Sequence, residues 1–143
     1  MNASGIHLIA ELSGCPPGLL NDENRIKTIL IDGINTCGLF YLSISSHKFD
    51  PIGVTVISII NESHIAIHTY PEAQHASLDI FHCSTESESL FKLLKFLSSK
   101  LLSQAVKFIE IDRGDKLAIR KMSLIDSENF KCAGDCDLQD PFR

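Results

Sequence analysis

The polar island Asn61-Glu62-Ser63-His64 stands between two strongly apolar runs and continues as Ile65-Ala66-Ile67-His68-Thr69-Tyr70-Pro71-Glu72. A turn here would present a serine hydroxyl beside two imidazoles and a carboxylate. Taken from the residues alone, two readings stay open. The plain one is a polar β-turn, for which Asn, Glu and Ser are ordinary, with His64 and His68 as strand-edge residues. The chemical one is a serine nucleophile with a His base and an acidic orienter. The Gly-x-Ser-x-Gly elbow of one hydrolase class is missing, and local spacing alone establishes no triad.

Cysteine offers a second kind of chemistry. The chain has five: Cys15, Cys37, Cys83, Cys132 and Cys136. An odd count at scattered spacing argues against a disulfide framework and fits a reducing compartment. Cys83 closes the run Asp79-Ile80-Phe81-His82, where a buried core thiol is the plain alternative to a reactive one. Cys132 and Cys136 could grip a metal, but no second pair accompanies them, and free thiols in a tail fit better.

These groups need elements to hold them. Ile6–Leu12 reads as a strand ending at Gly14 and the Pro16-Pro17 turn. Asn21 or Asp22 can cap a helix whose apolar positions are Ile26, Ile29, Leu30, Ile34 and Cys37, stopped by Gly38. Leu39–Ser45, Gly53–Ile60, His64–Tyr70 and Ser77–Cys83 read as strands. In the third of these, Ile65, Ile67 and Thr69 point one way, while His64, Ala66, His68 and Tyr70 point the other. Thr85 and Glu88 form a capping box for a helix with the stripe Leu90, Leu93, Leu94, Leu97, Leu101. Ala105–Ile111 is the last clear strand, ended by Arg113-Gly114-Asp115, and residues from about 115 to 143 read as a loose tail. The order predicts an α+β two-layer sandwich: a largely antiparallel sheet with two helices packed on one face. The Val54–Ile60 run is apolar on both faces, which suits a homodimer built on the other side of the sheet.

With 143 residues, 44% hydrophobic and 22% charged, the chain reads as a single globular domain. No apolar run approaches the ~20 residues that span a bilayer. The N-terminus lacks the basic start and apolar block of a signal peptide, so a cytoplasmic, membrane-free protein is expected. A net charge of −5 disfavours nucleic acid and tolerates a cationic substrate.

The motif Glu62-Ser63-His64-Ile65-Ala66-Ile67-His68-Thr69-Tyr70-Pro71-Glu72 resembles the signature of the prokaryotic S-adenosylmethionine decarboxylases, a pyruvoyl-dependent pro-enzyme family. His7-Leu8-Ile9-Ala10-Glu11 with Gly14-Cys15, then His47-Lys48-Phe49, Pro51 and Gly53-Val54-Thr55, resemble earlier landmarks of the family. Asp79-Ile80-Phe81-His82-Cys83 resembles its catalytic-cysteine strand and Arg113-Gly114 a late landmark, so the likeness covers roughly residues 5 to 114.

The resemblance implies that the chain cuts itself between Glu62 and Ser63, giving chains 1–62 and 63–143. Ser63 Oγ would attack the Glu62 carbonyl and form an ester. Loss of the Ser63 α-proton would eliminate that ester, and hydrolysis would release ammonia and leave a pyruvoyl group. His68 would assist these proton transfers, with Thr55 in the place of a supporting serine hydroxyl and Glu11 helping to shape the site. The pyruvoyl ketone would form a Schiff base with the substrate amine and act as electron sink, and Cys83 would reprotonate the product. Phe49 and Glu72 would bind a purine or sulfonium and a ribose respectively, with Tyr70 in the same pocket where many relatives carry Trp. Gln74-His75 and His82-Cys83-Ser84 also depart from the family pattern. They leave open a pyruvoyl-dependent decarboxylase of arginine or ornithine, or an inactive or metal-binding module sharing the fold.

Overall fold

The computed structural model describes residues 3–83 and 88–126. In chain order these form β1 (Ser4–Ser13), α1 (Pro17–Leu20), α2 (Glu23–Thr36), β2 (Phe40–Lys48), β3 (Val54–Asn61), β4 (Ser63–Tyr70), a 3-10 turn (Pro71–Ala73), β5 (His75–His82), α3 (Glu88–Lys100), β6 (Ala105–Gly114) and β7 (Ala118–Asp126). The strands make one sheet in the order β2-β3-β4-β5-β1-β6-β7, every neighbouring pair antiparallel.

Period-two patterning decides which face of each strand is covered. Ile6, Leu8, Ala10 and Leu12 of β1, Ile65 and Ile67 of β4, Ala76, Leu78 and Ile80 of β5, and Val106 and Phe108 of β6 form the buried face. The 3.6-residue stripes of α2 (Ile26, Ile29, Leu30, Ile34) and α3 (Leu90, Leu93, Leu94, Leu97) close over it. Each such side chain is worth about 1.5–3 kcal/mol when buried. α2 and α3 lie close together, because a Cβ on Gly33 would stand 2.9 Å from Leu93 and from Phe96. Asp22 caps α2, its carboxylate accepting the Arg25 backbone N–H at 3.1 Å.

The expected α+β sandwich is therefore present, with two differences. Pro17–Leu20 is a short helix rather than a turn, because Pro at its start is preset for helical φ. Part of the expected loose tail is a strand: β7 pairs along β6 from Ala118↔Asp112 to Asp126↔Ala105. The tail reading fails there because β6 has a free edge, and β7 satisfies its backbone groups while burying little. Gly114 makes the connection possible. It holds φ +112, and a Cβ on it would stand 2.2 Å from the Ala3 carbonyl oxygen. Thr85 of the proposed capping box and the Cys132/Cys136 pair lie outside the described residues.

Candidate active site

Among the described residues the other sheet face carries no helix, and the register collects the polar side chains there. Residues directly opposite on neighbouring antiparallel strands share a face. One row therefore runs Glu11, Ser77, His68, Thr55, His47 across β1, β5, β4, β3 and β2. The next row holds Ile9, Asp79, Ala66 and Ile57, and the one after it His7, Phe81, His64 and Ile59.

Within this face the Thr55 hydroxyl lies 3.1 Å from His68 Nδ1, and His68 Nε2 lies 3.9 Å from Asp79 Oδ2. The other Asp79 oxygen meets His7 Nε2 at 3.1 Å. Burial pushes the His7 imidazole below its usual range, outweighing the pull of Asp79 in the other direction. A neutral His7 with its proton on Nε2 donates to Asp79 and accepts from Arg113 Nη1, 3.3 Å from Nδ1. The same guanidinium lies over the Phe81 ring, 4.5 Å from its centre.

Thr55 and His68 belong to the end of the sheet where α1 meets the β3–β4 ladder. Thr69 locks that end: its hydroxyl donates to the Leu20 carbonyl at 2.7 Å and accepts the Val54 N–H at 2.9 Å. The Asn21 side-chain oxygen accepts the Gly53 N–H at 3.0 Å. The turn after β2 is thereby fixed and presents Phe49, 48% exposed, edge-on to His47 with ring centres 4.7 Å apart. Tyr70 is exposed at the end of β4 and Glu72 in the 3-10 turn after it. Glu11 is held here too, accepting from His75 Nε2 and from the Ser77 hydroxyl, the latter at 2.6 Å.

Ser63 stands at the opposite end. It opens β4 directly after the Asn61-Glu62 turn, with Glu62 exposed and Ser63 half-buried. Ser63 pairs with His82, so Cys83, an exposed free thiol, follows β5 level with the Glu62 end of the turn. The structure therefore brings Glu62, Ser63 and Cys83 together, and separately groups Thr55, His68, Glu11, Phe49, Tyr70 and Glu72. His68 lies five residues along β4 from Ser63, roughly 16–17 Å at a strand rise of about 3.3 Å per residue. Asp79, His7, Ser77, His75 and Arg113 join the site without having been given a role in it from sequence; His7, Asp79 and Arg113 stood inside the resembling motifs, and His7, Asp79, Ser77 and His75 alternate with core positions on β1 and β5 while Arg113 ends β6.

A family model described as S-adenosylmethionine decarboxylase matches residues 6–114, most of the chain. The chain belongs to the S-adenosylmethionine decarboxylase family. A protein of Methanococcus maripaludis (strain C5) named S-adenosylmethionine decarboxylase proenzyme is 36% identical over 117 residues, 80% of this chain and 93% of that protein. A protein of the same name from Acetivibrio thermocellus is 35% identical over 114 residues, 80% of this chain and 91% of the other. The crystal structure of the adenosylmethionine decarboxylase from Aquifex aeolicus VF5 shares the fold, with a TM-score of 0.73 at 24% identity over 81% of this chain and 95% of that one. The S-adenosylmethionine decarboxylase match ends at Gly114, so β7 lies beyond the matched region.

Proposed function

We propose that this chain is a pro-enzyme that cuts itself at Glu62–Ser63, converts Ser63 to a pyruvoyl group, and decarboxylates S-adenosylmethionine to the aminopropyl donor used in spermidine synthesis. The observation that carries this reading is the tip of the β3–β4 hairpin. It presents the Glu62–Ser63 bond at the protein surface with the Cys83 thiol beside it, in a chain whose relatives are named proenzymes. The position suits such a group, since Ser63 can leave the ladder at its first residue without disturbing the core rows below.

For processing, Ser63 Oγ attacks the Glu62 carbonyl, the peptide C–N bond breaks as the ester forms, and elimination then frees the Glu62 carboxyl. His68 exchanges protons with the hydroxyl of Thr55, and it is the group we assign to this proton traffic. The pyruvoyl group supplies the electron-withdrawing carbonyl that lets carbon dioxide leave. Cys83 delivers a proton to the product carbon. Phe49 offers its exposed face to the purine, and Glu72 a carboxylate to the ribose hydroxyls. Tyr70 flanks them, and Glu11, fixed by His75 and Ser77, shapes the same end. We place the enzyme in the cytoplasm; no helix among the described residues is long and apolar enough to cross a membrane.

One chain cannot close this site, because the 16–17 Å between Ser63 and His68 is far beyond proton-transfer reach. A homodimer resolves the separation. A two-fold axis over the open sheet face sets the Ser63 end of one protomer against the Thr55/His68 end of its partner, and the reverse. Ile57 and Ile59 on β3, with Met122 and Leu124 on β7, leave that face apolar and exposed, as such a contact requires. Coexpressing His68→Ala and Cys83→Ala chains tests the arrangement, since each mixed dimer holds one site with both residues intact. Random mixing should restore roughly a quarter of wild-type decarboxylation to two variants that are each inactive alone. No recovery in verified mixed dimers would place the whole site in one protomer.

The substrate is tested with the mature enzyme and carboxyl-labelled compounds. Labelled carbon dioxide is expected from S-adenosylmethionine and not from arginine or ornithine. Release from either amino acid but not from S-adenosylmethionine would overturn the substrate and leave the self-processing reading intact.

A further inference from the structure

We propose that Asp79 is a positioning residue for His68: its carboxylate, shared between the His7 and His68 imidazoles on the open sheet face, fixes which His68 nitrogen carries the proton. The inference rests on the role given above to His68 in processing.

Asp79 stands on β5 opposite Ala66, between the rows that hold His68 and His7. The small Ala66 side chain leaves room for both rings to lean toward the carboxylate from diagonal positions, which lie about 7–8 Å apart between strands. His7 Nε2 takes one oxygen at 3.1 Å, and His68 Nε2 faces the other at 3.9 Å, an electrostatic contact rather than a direct hydrogen bond.

The two carboxylate oxygens therefore have different tasks. His7 is clamped from its far side by Arg113, whose N–H groups can only donate, so His7 Nδ1 must be the bare nitrogen and Nε2 the donor. That contact anchors Asp79 and aims its second oxygen at His68. The neighbour on the other side of His68, the Thr55 hydroxyl, can donate or accept and so chooses no tautomer. Only Asp79 breaks the tie: a carboxylate facing Nε2 favours the proton there and leaves Nδ1 bare toward Thr55. A His68 in this tautomer can take the hydroxyl proton, and the opposite tautomer cannot. Ser77 is the cross-strand partner of His68 on β5, but its hydroxyl is committed to Glu11.

Nitrogen-15 NMR of the full-length, uncleaved Ser63→Ala protein reads the tautomer directly. Neutral His68 is expected with Nε2 protonated and Nδ1 bare, and Asp79→Asn in the same protein should bring the two nitrogen shifts together. With Ser63 restored, Asp79→Asn should slow self-cleavage by about ten- to hundredfold, with Asp79→Glu recovering part of the loss. A His68 proton on Nδ1 in the protein retaining Asp79 overturns the proposal, even where Asp79→Asn fails to fold. So does an Asp79→Asn chain that keeps the parental tautomer and cleavage rate. His68→Ala cleaving at the parental rate would instead count against the role of His68, and the nitrogen shifts would still decide whether Asp79 sets the tautomer.

Discussion

Ser63→Ala is expected to yield one uncleaved polypeptide of 143 residues where the wild type yields two, 1–62 and 63–143. The substitution removes a single oxygen, the atom proposed to attack the Glu62 carbonyl, and leaves a side chain that any strand accommodates. Ser63 is the first residue of β4 and its backbone pairing with Ile60 and His82 needs no hydroxyl, so the fold should be retained. Intact-mass measurement separates the outcomes without an activity assay. A Ser63→Ala chain that still splits at this bond would remove ester formation from the account. Decarboxylation should vanish with cleavage, because alanine cannot become a ketone.

Cys83→Ala carries the second large effect and divides the two halves of the chemistry. It should cleave normally and then lose turnover by about a hundredfold or more, the usual worth of a positioned proton donor. The inactivated protein should also lose its pyruvoyl group faster, since protonation at the wrong carbon destroys it. Cys15 is the natural control. It is fully buried, and burial pushes its thiol up to about 11, so it is inert by environment. Cys83 is exposed just past β5. Wild-type rate and lifetime in Cys83→Ala would take the thiol out of the mechanism.

What could be read from the chain followed the strength of local signals. The β4 alternation, with Ile65, Ile67 and Thr69 buried and His64, His68 and Tyr70 turned away, comes from period-two spacing; the small Ala66, on the same side as His68, is buried as well. α2 was legible through Asp22 and its Ile26–Ile34 stripe. β7 was not, because Ile119, Met122 and Leu124 remain exposed and Arg120-Lys121 interrupts the run. A strand that buries little leaves little pattern. The motif from Glu62 to Glu72 pointed to the chemistry, but it also suggested one compact site. A strand separates residues in proportion to sequence distance, and that geometry puts Ser63 and His68 at opposite ends of β4. The Asp79 bridge was out of reach for another reason: His7 and Asp79 are 72 residues apart, and only the β1–β5 register joins them.

The strand order bears on what the protein would become after the proposed cut between Glu62 and Ser63. The fragment ending at Glu62 owns β1, β2 and β3, while the fragment beginning at Ser63 owns β4, β5, β6 and β7. In the sheet, β1 of the first fragment is threaded between β5 and β6 of the second, and β3 lies against β4. Neither fragment owns a complete core, since α2 comes with the first and α3 with the second. Cleavage would thus turn a folded chain into an intertwined pair whose members could part only by unravelling the middle of the sheet. Within one protomer, melting the intact precursor would disrupt one polypeptide, whereas melting the cut protein would set two pieces adrift that must find each other again. Dilution would then act on the mature form through one more dissociation than its precursor undergoes.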